Sequence, residues 1–367
     1  MKRAIVCCVV LFYAVTAFSQ RNHEINRYIS IMPQYGRINV HSHYVSNLLG
    51  TYPMGIEVDV GKHYLTSAAK NLYGCYPRYG VAFSLWNFDN KVLGYGLSGM
   101  AYFEPFIFAY NRFMLSLKGS VGIIGLTNPY DAETNPNNLA YSTTFSFPLS
   151  VGIAAYYPLD YNWALKMNAS FNHFSNGGIK QPNYGINFPV ASMGVEYSFS
   201  HYGIPPREHS ELLRLSPTLR VGHYEIAMGI GSKDVSGTGF HESKSISFVH
   251  GRFTRKWTKI NGWTAGFFGE FENTFSSDFK SYIGISPVLG HSFWFGQFTF
   301  SQELGYTFVL DGSVSDKIIQ LYALQYNNEY KWFAGVNLKA NLNEANYLGV
   351  RVGYSFNLSN IFPLPKN

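Results

Sequence analysis

A histidine and a serine two residues apart are the side chains of this sequence best suited to chemistry. His173 and Ser175 stand near the end of a segment with alternating apolar and polar residues. Side chains two apart on a β-strand point to the same face. A base beside a hydroxyl is the minimum for an activated nucleophile, because the base takes the proton as the oxygen attacks. If the segment is a strand, the pair predicts an oxygen nucleophile.

The face that the pair shares is apolar. In steps of two, that face reads Ser175, His173, Phe171, Ala169, Met167, Leu165 and Trp163. The opposite face is mostly polar and reads Phe174, Asn172, Ser170, Asn168, Lys166, Ala164 and Asn162. In a soluble protein the apolar face would be core, whereas in a transmembrane barrel it faces lipid and the polar face lines the interior. The class of the whole chain therefore decides what the pair can contact.

The composition favours a membrane β-barrel. Of the 367 residues, 46% are hydrophobic but only 14% are charged, against about 25% in an ordinary soluble domain. Aromatic residues reach 17%, mostly Tyr and Phe, as expected for strands with aromatic girdles. No stretch after the N-terminus approaches about 18 uninterrupted apolar residues, which argues against membrane helices.

Residues 1–19 have the pattern of a secretory signal peptide. Lys2 and Arg3 precede an apolar run, and small residues at positions 17 and 19 predict cleavage between Ser19 and Gln20. Cys7 and Cys8 would be removed with this segment, which leaves Cys75 and no internal disulfide.

The remaining charge is modest and scattered. Cleavage of the predicted signal leaves 26 basic and 22 acidic side chains, so nucleic acid is not an expected partner.

Alternating segments of nine to thirteen residues recur along the chain, close to the ~9–11 residues that a tilted membrane strand needs. About eight strands are predicted before residue 200, near 28–42, 51–61, 78–88, 92–106, 112–125, 141–157, 162–175 and 190–200. Their charged residues fall on the polar face, where they can pair inside a barrel. With a periplasmic N-terminus, residues 127–138 and 176–188 form long external loops. The long connection 63–76 does not fit this scheme.

The second half looks like a weak copy of the first. Residues 20–200 form one predicted barrel repeat, residues 201–214 a Pro-containing linker, and residues 215–367 a second repeat. The proposed register aligns Glu344 with His173, so the second repeat would lack the pair. The fold class is thus an all-β, outer-membrane antiparallel barrel of about 16 strands, as two eight-stranded tandem barrels or one larger barrel.

The pair and the loop after it resemble the lipid A 3-O-deacylase family of outer-membrane barrels. The resemblance is carried by His173-x-Ser175-Asn176 and Asn183-x-Gly185-x-Asn187. It implies a serine nucleophile, a histidine general base, and a loop containing Asn176, Asn183 and Gly185 that shapes the oxyanion pocket.

Position 187 departs from the family pattern, because Asn187 stands where the family has an acid. Asn can orient an imidazole through its carbonyl oxygen but brings no charge, so a slower enzyme, or one that uses another carboxylate, is expected. Glu196 is a poor substitute because its strand position points inward. The implied partner is lipid A of lipopolysaccharide, with no metal or cofactor, and the sequence leaves the oligomeric state open.

Two hypotheses remain on the sequence alone. The leading one is a membrane-embedded bacterial outer-membrane esterase that removes an ester-linked acyl chain from lipid A. The alternative is a catalytically inactive structural or transport barrel, which the Asn at position 187 and the length of the chain favour. A soluble secreted β-sandwich is a distant third.

Overall fold

The computed structural model describes residues 25–110, 112–200, 222–234, 243–258, 260–273, 282–312, 317–341 and 344–357. The predicted signal peptide, residues 1–19, and the predicted linker, residues 201–214, lie outside this range. Within it the chain is dominated by long antiparallel strands, with two short helices. No helix in these residues has the length and apolarity needed to span a bilayer.

Two separate closed sheets make up the described part of the chain, each an eight-stranded antiparallel barrel. The all-β barrel prediction is therefore confirmed, and of its two versions the structure has tandem barrels. The strands of the first barrel are Ile25–Gly36 (β1), Met54–Tyr64 (β2), Arg78–Asn87 (β3), Tyr95–Glu104 (β4), Phe106–Tyr110 (β5), Phe113–Leu126 (β6), Phe145–Pro158 (β7), Trp163–Ser175 (β8) and Ile186–Ser198 (β9).

The first barrel closes through the pairing of β4 with β6. β4 and β5 act as one barrel strand, since both pair with β6. The break between them is Pro105, which has no N–H to donate to a ladder.

The second barrel repeats this plan. Its strands are His223–Asp234 (β10), Ser243–Lys256 (β11), Asn261–Asn273 (β12), Tyr282–Phe295 (β13), Phe298–Tyr306 (β14), Phe308–Asp311 (β15), Ile318–Asn327 (β16), Trp332–Asn341 (β17) and Glu344–Phe356 (β18). The pairing of β12 with β13 completes the ring, and β14 and β15 both pair with β13.

The long connection after β2 contains a short helix. This helix, α1 (Ser67–Tyr73), begins after Thr66, whose hydroxyl accepts a hydrogen bond from the Ala69 amide. It ends at Gly74, which has a left-handed φ of +71°, as is common at helix C-termini. The connection that did not fit the sequence-based topology is thus a capped helix at the barrel end opposite the His173 loop.

Several strand boundaries differ from the predictions by a few residues, and two of these differences bear on the site. β1 ends at Gly36 instead of reaching residue 42, and residues 43–48 form a 3-10 helix, His43–Leu48. β9 begins at Ile186, four residues earlier than expected. The shift matters, because it brings Asn187 into the ladder opposite His173.

The proposed equivalence of Glu344 with His173 is wrong. β17 ends at Asn341, and Glu344 already belongs to the returning strand β18, where it pairs with Asn341. The seventh strand of the second barrel is therefore shorter than β8, the seventh of the first. The alternation looked alike because both strands carry small polar residues on the inner face.

The interior of the first barrel is held by ion pairs, as the strand faces predict. The Asp59 carboxylate lies between two ammonium groups, 2.9 Å from Lys118 Nζ and 2.5 Å from Lys166 Nζ. Lys118 also contacts Glu57 at 2.9 Å, and Lys166 lies 3.7 Å from Glu196. All five are buried. Each charge has an opposite partner, as burial of charge requires.

Replacement of Lys166 tests this network. Lys166→Met leaves Asp59 and Glu196 buried with less compensation, so we expect the barrel to lose about 3 kcal/mol of unfolding free energy, measured as the urea midpoint in lipid or detergent. Lys62→Met, which removes the same charge from an exposed outer position of β2, is the control. Equal midpoints for the two variants would contradict the structural role of the network.

Candidate active site

The end of β8 is anchored by an inward-pointing aromatic residue. Phe174 is 1% exposed and packs edge-to-face on Phe188, with ring centroids 4.9 Å apart, and on Trp86 at 6.2 Å. These rings belong to an apolar cluster that also includes residues of the 3-10 helix and of loop 127–144. Because neighbouring side chains alternate across a strand, an inward Phe174 places His173 and Ser175 on the outer face.

The outer face brings three polar side chains into one chain of hydrogen bonds. His173 Nε2 lies 3.0 Å from Ser175 Oγ. On its other side, His173 Nδ1 lies 2.6 Å from Asn187 Oδ1. His173 and Asn187 are direct partners in the β8–β9 ladder. An oxygen facing Nδ1 fixes the tautomer with its proton on Nδ1, so Nε2 is free to accept the serine proton.

Asn183 presents an unpaired amide nitrogen in this region. Its Oδ1 accepts a hydrogen bond of 2.8 Å from the backbone N–H of Asn176, the residue after the serine. A backbone donor requires an oxygen at that position, so the other end of the amide is the nitrogen. Asn183 is 8% exposed, and its Nδ2 has no hydrogen-bond partner among the described residues. A buried donor of this kind is available to an oxyanion.

The Asn176 side chain has a different task, because its hydrogen bonds hold its own loop together and connect it to loop 127–144. Its Nδ2 donates to Lys180 O at 2.7 Å and to Ser142 Oγ at 3.2 Å, and its Oδ1 accepts from the Gly178 amide at 3.0 Å. Asn176 therefore shapes the loop while Asn183 offers the free donor.

Gly185 lies against the His173 ring. Its φ is +71°, and a Cβ at this position would lie 2.9 Å from His173 Cε1 and 3.4 Å from Ser175 Cβ. Both the left-handed backbone and the close approach require glycine. Gly185 thus permits the returning loop to close on the pair, a role that turn chemistry alone did not reveal in the sequence.

The first loop supports the same region and was missed by sequence reasoning. His41 Nε2 lies 2.9 Å from the carbonyl oxygen of Tyr184, and the Tyr44 ring stacks on the Tyr184 ring at 4.5 Å. The Asn39 amide donates to Asn187 O at 2.7 Å. Nothing in the local sequence marks these residues, since their partners are about 140 positions away.

Loop 127–144 closes the barrel beneath the site. The Tyr141 hydroxyl is buried and donates to Leu93 O at 2.6 Å. Burial raises the pKa of Tyr141, so the hydroxyl stays neutral and this hydrogen bond persists at physiological pH. Leu139 and Ala140 accept hydrogen bonds from the amides of Tyr184 and Gly185. This loop therefore supports the strand that carries Asn187.

Two protein-family models match the chain, one for each barrel. The model of lipid A 3-O-deacylase (PagL) matches residues 54–196. The model of the acyloxyacyl hydrolase C-terminal domain matches residues 222–358. The two matches together cover most of the chain.

The first barrel is thus similar to the lipid A 3-O-deacylase family, and the second is similar to the acyloxyacyl hydrolase C-terminal domain. Both matched families are ester hydrolases, and the prediction that this chain is a carboxylic ester hydrolase is confirmed at that level. Clusters of His, Cys, Asp or Glu fit to hold a metal ion do not occur among the described residues.

Other comparisons add little. A Rh. blastica porin mutant is 10% identical, covers 90% of this chain and 99% of its own length, and has a TM-score of 0.18. A triple mutant of Rhodopseudomonas blastica porin gives the same values. A structure titled for the asymmetric conductivity of engineered proteins has 11% identity, the same coverage and a TM-score of 0.19. These scores carry no argument about the chain. No curated protein matches it.

Replacing Asn187 by a carboxylate tests the geometry of the hydrogen-bonded series formed by Ser175, His173 and Asn187. Asn187→Asp keeps an oxygen acceptor near His173 Nδ1 and adds a charge that stabilises the imidazolium formed in the reaction. We expect kcat for ester hydrolysis to rise about ten-fold or more. The control is Asn39→Asp, which adds the same charge at an exposed neighbouring position. A rise in kcat shared by both variants would point to a general field effect and contradict the specific role of position 187.

Proposed function

We propose that this protein is an outer-membrane esterase that removes an ester-linked acyl chain from lipid A by a serine–histidine mechanism. The observation that carries the proposal is the continuous hydrogen-bonded series Ser175–His173–Asn187 on the outer face of a barrel strand. A lipid held in the outer leaflet reaches a barrel from outside, so its ester meets a nucleophile only on that face.

The first step is acylation of the serine. His173 Nε2 takes the Ser175 hydroxyl proton as Oγ attacks the ester carbonyl carbon, giving a tetrahedral oxyanion. The carbon–oxygen bond to the sugar side then breaks, and the His173 proton passes to the leaving oxygen. The deacylated lipid A departs with a free hydroxyl, and the acyl chain remains on Ser175.

The second step is hydrolysis of the acyl-enzyme. His173 takes a proton from a water molecule as its oxygen attacks the acyl carbon, and the tetrahedral intermediate releases Ser175 Oγ, which regains the proton. The product is a free fatty acid. In both steps Asn187 Oδ1 keeps the imidazole in its orientation, without supplying a negative charge.

The oxyanion is assigned to Asn183. Its side-chain nitrogen is a buried donor without a hydrogen-bond partner among the described residues, and its oxygen accepts a hydrogen bond from the Asn176 amide. A donor fixed before the reaction begins needs no reorganisation when charge develops, which is why such groups lower the barrier.

The activity is tested by mass spectrometry of lipid A from cells that express the parent protein or Ser175→Ala. We expect the parent to remove one acyl chain and the variant to leave lipid A intact, because the variant has no nucleophile. Barrel assembly of the variant, checked by heat-modifiable gel mobility, is the control. Unchanged lipid A in both, with both barrels in the outer membrane, would contradict the proposal and favour a structural or transport role.

The oxyanion assignment is tested by Asn183→Asp. This change keeps an oxygen to accept the Asn176 amide but replaces the donor Nδ2 with a second acceptor. We expect kcat to fall about 10²- to 10³-fold, with little change in KM. Asp160→Asn, at an exposed turn at the other end of β8, is the matched control and keeps parent kinetics. A kcat for Asn183→Asp near that of the parent would exclude Nδ2 as the oxyanion donor.

A further inference from the structure

The two barrels contact each other near both ends. Close to the end that carries α1, the Phe103 ring of β4 lies 4.6 Å from the Phe295 ring of β13. At the opposite end, the loop that follows Ser175 lies against the beginning of β18. The second barrel therefore stands beside the first, with β18 next to the active-site loop.

The contact at this loop is close. A Cβ added to Gly177 would lie 3.2 Å from Leu348 Cβ and 3.6 Å from Phe147 Cδ2. A Cβ added to Gly178 would lie 2.8 Å from the carbonyl oxygen of Asn346. Glycine at both positions lets β18 approach the backbone of the loop.

The residues that meet here surround the nucleophile. Phe147 is the direct ladder partner of Ser175 in the β7–β8 pairing, so the two side chains are neighbours on the outer face. Leu348 and Phe147 both lie next to the position that a Cβ on Gly177 would occupy. Both side chains are half-buried. Ser175 is thus flanked by an apolar residue of its own barrel and is near one from the second.

Apolar surface continues from this point along both strands. Beyond Phe147, the outer face of β7 carries Leu149 and Val151, which are 44% and 63% exposed. Beyond Leu348, the outer face of β18 carries Val350 and Val352, which are 57% and 56% exposed. Both strands lead away from the active-site loop toward the other end of their barrels. The described structure therefore shows two apolar strips, one that starts beside Ser175 and one that starts beside Gly177 in the loop after it.

We propose that a crevice between β7 and β18, lined at its start by Phe147 and Leu348, binds the acyl chain of the substrate, and that Leu348 of the second barrel is a specificity-determining residue. The inference rests on the proposed function and deepens it. When Ser175 attacks the ester carbonyl, the acyl chain extends from that carbon and needs an apolar path. Phe147 and Leu348 form the start of that path. The second barrel then supplies one wall of the substrate site while the chemistry stays in the first.

The test fills the crevice with Leu348→Trp in the full-length protein. Released fatty acid is measured with lipid A in vesicles, alongside hydrolysis of a short acetyl ester that does not reach the crevice. We expect lipid A deacylation to fall about ten-fold or more, with hydrolysis of the short ester kept within about two-fold. Leu289→Trp is the matched control, because Leu289 is 65% exposed on β13; it should keep parent rates on both substrates.

A second variant guards against misfolding of the first. Leu348→Ala widens the crevice, so the ratio of kcat/KM for long-chain over short-chain simple esters should differ from that of the parent. Parent-like lipid A deacylation by Leu348→Trp, or an unchanged chain-length ratio for Leu348→Ala, would overturn the proposal. Equal loss of both activities in Leu348→Trp would also overturn it. That result would mean that Leu348 positions the active-site loop and does not contact the acyl chain.

Failure of the proposed function gives a different result. In that case the parent shows no Ser175-dependent release from lipid A, while the chain-length ratio on simple esters still reports on the crevice.

Discussion

The pairing register of β8 and β9 is the constraint on which the site depends. His173 contacts Asn187 because the two residues are direct ladder partners, and a slip of one residue would turn His173 into the lumen. The interior charges oppose such a slip. Lys166 of β8 and Glu196 of β9 point inward, where Lys166 meets Asp59 and Glu196 meets Arg78. A slip would move these ions to the apolar outer face, where a lysine at the midplane of a membrane barrel costs about 2–4 kcal/mol.

The aromatic cluster acts on the same register from the loop end. Phe174 lies between His173 and Ser175 in sequence and packs inward on Phe188, which belongs to β9. The interior ion pairs and the ring cluster thus fix β8 at two positions along its length, one at Lys166 and one at Phe174. Catalytic geometry on the outside follows from packing on the inside, because successive side chains of a strand alternate between the faces.

Much of this could be predicted from alternation alone. The all-β class, the inward position of the charges and the outward position of His173 and Ser175 all follow from a period of two. This period can be read from the residues of each strand alone. The site pair was also readable, since His173 and Ser175 are neighbours in sequence. Contacts between segments that are distant in sequence could not be predicted in this way. Asn183 Nδ2 is a candidate donor only because its Oδ1 meets the Asn176 amide, and Leu348 is relevant only because β18 reaches Gly177.

Where the sequence misled, shared composition was the reason. The inner faces of β8 and β17 carry similar small polar residues, so the alternation matched while the strand ends did not. Strand length is set by where the turn falls, and the two-residue connection between Asn341 and Glu344 has no marker as strong as the glycines of the first-barrel loop. The same ambiguity left one large barrel and two small barrels open, because closure depends on the pairing of β4 with β6 and of β12 with β13.

In the proposed mechanism, the neutral side chain at position 187 makes catalysis depend more on other groups. Asn187 orients the imidazole but cannot offset the charge that His173 gains when it takes the serine proton. The transition state then depends more on groups that stabilise the oxyanion, and Asn183 Nδ2 is such a donor in a site where Ser175 is only 7% exposed. Low exposure strengthens a hydrogen bond to an anion. An apolar wall from the second barrel would exclude water further, so the contact of Leu348 with the loop bears on the rate of the chemistry as well as on binding of the chain.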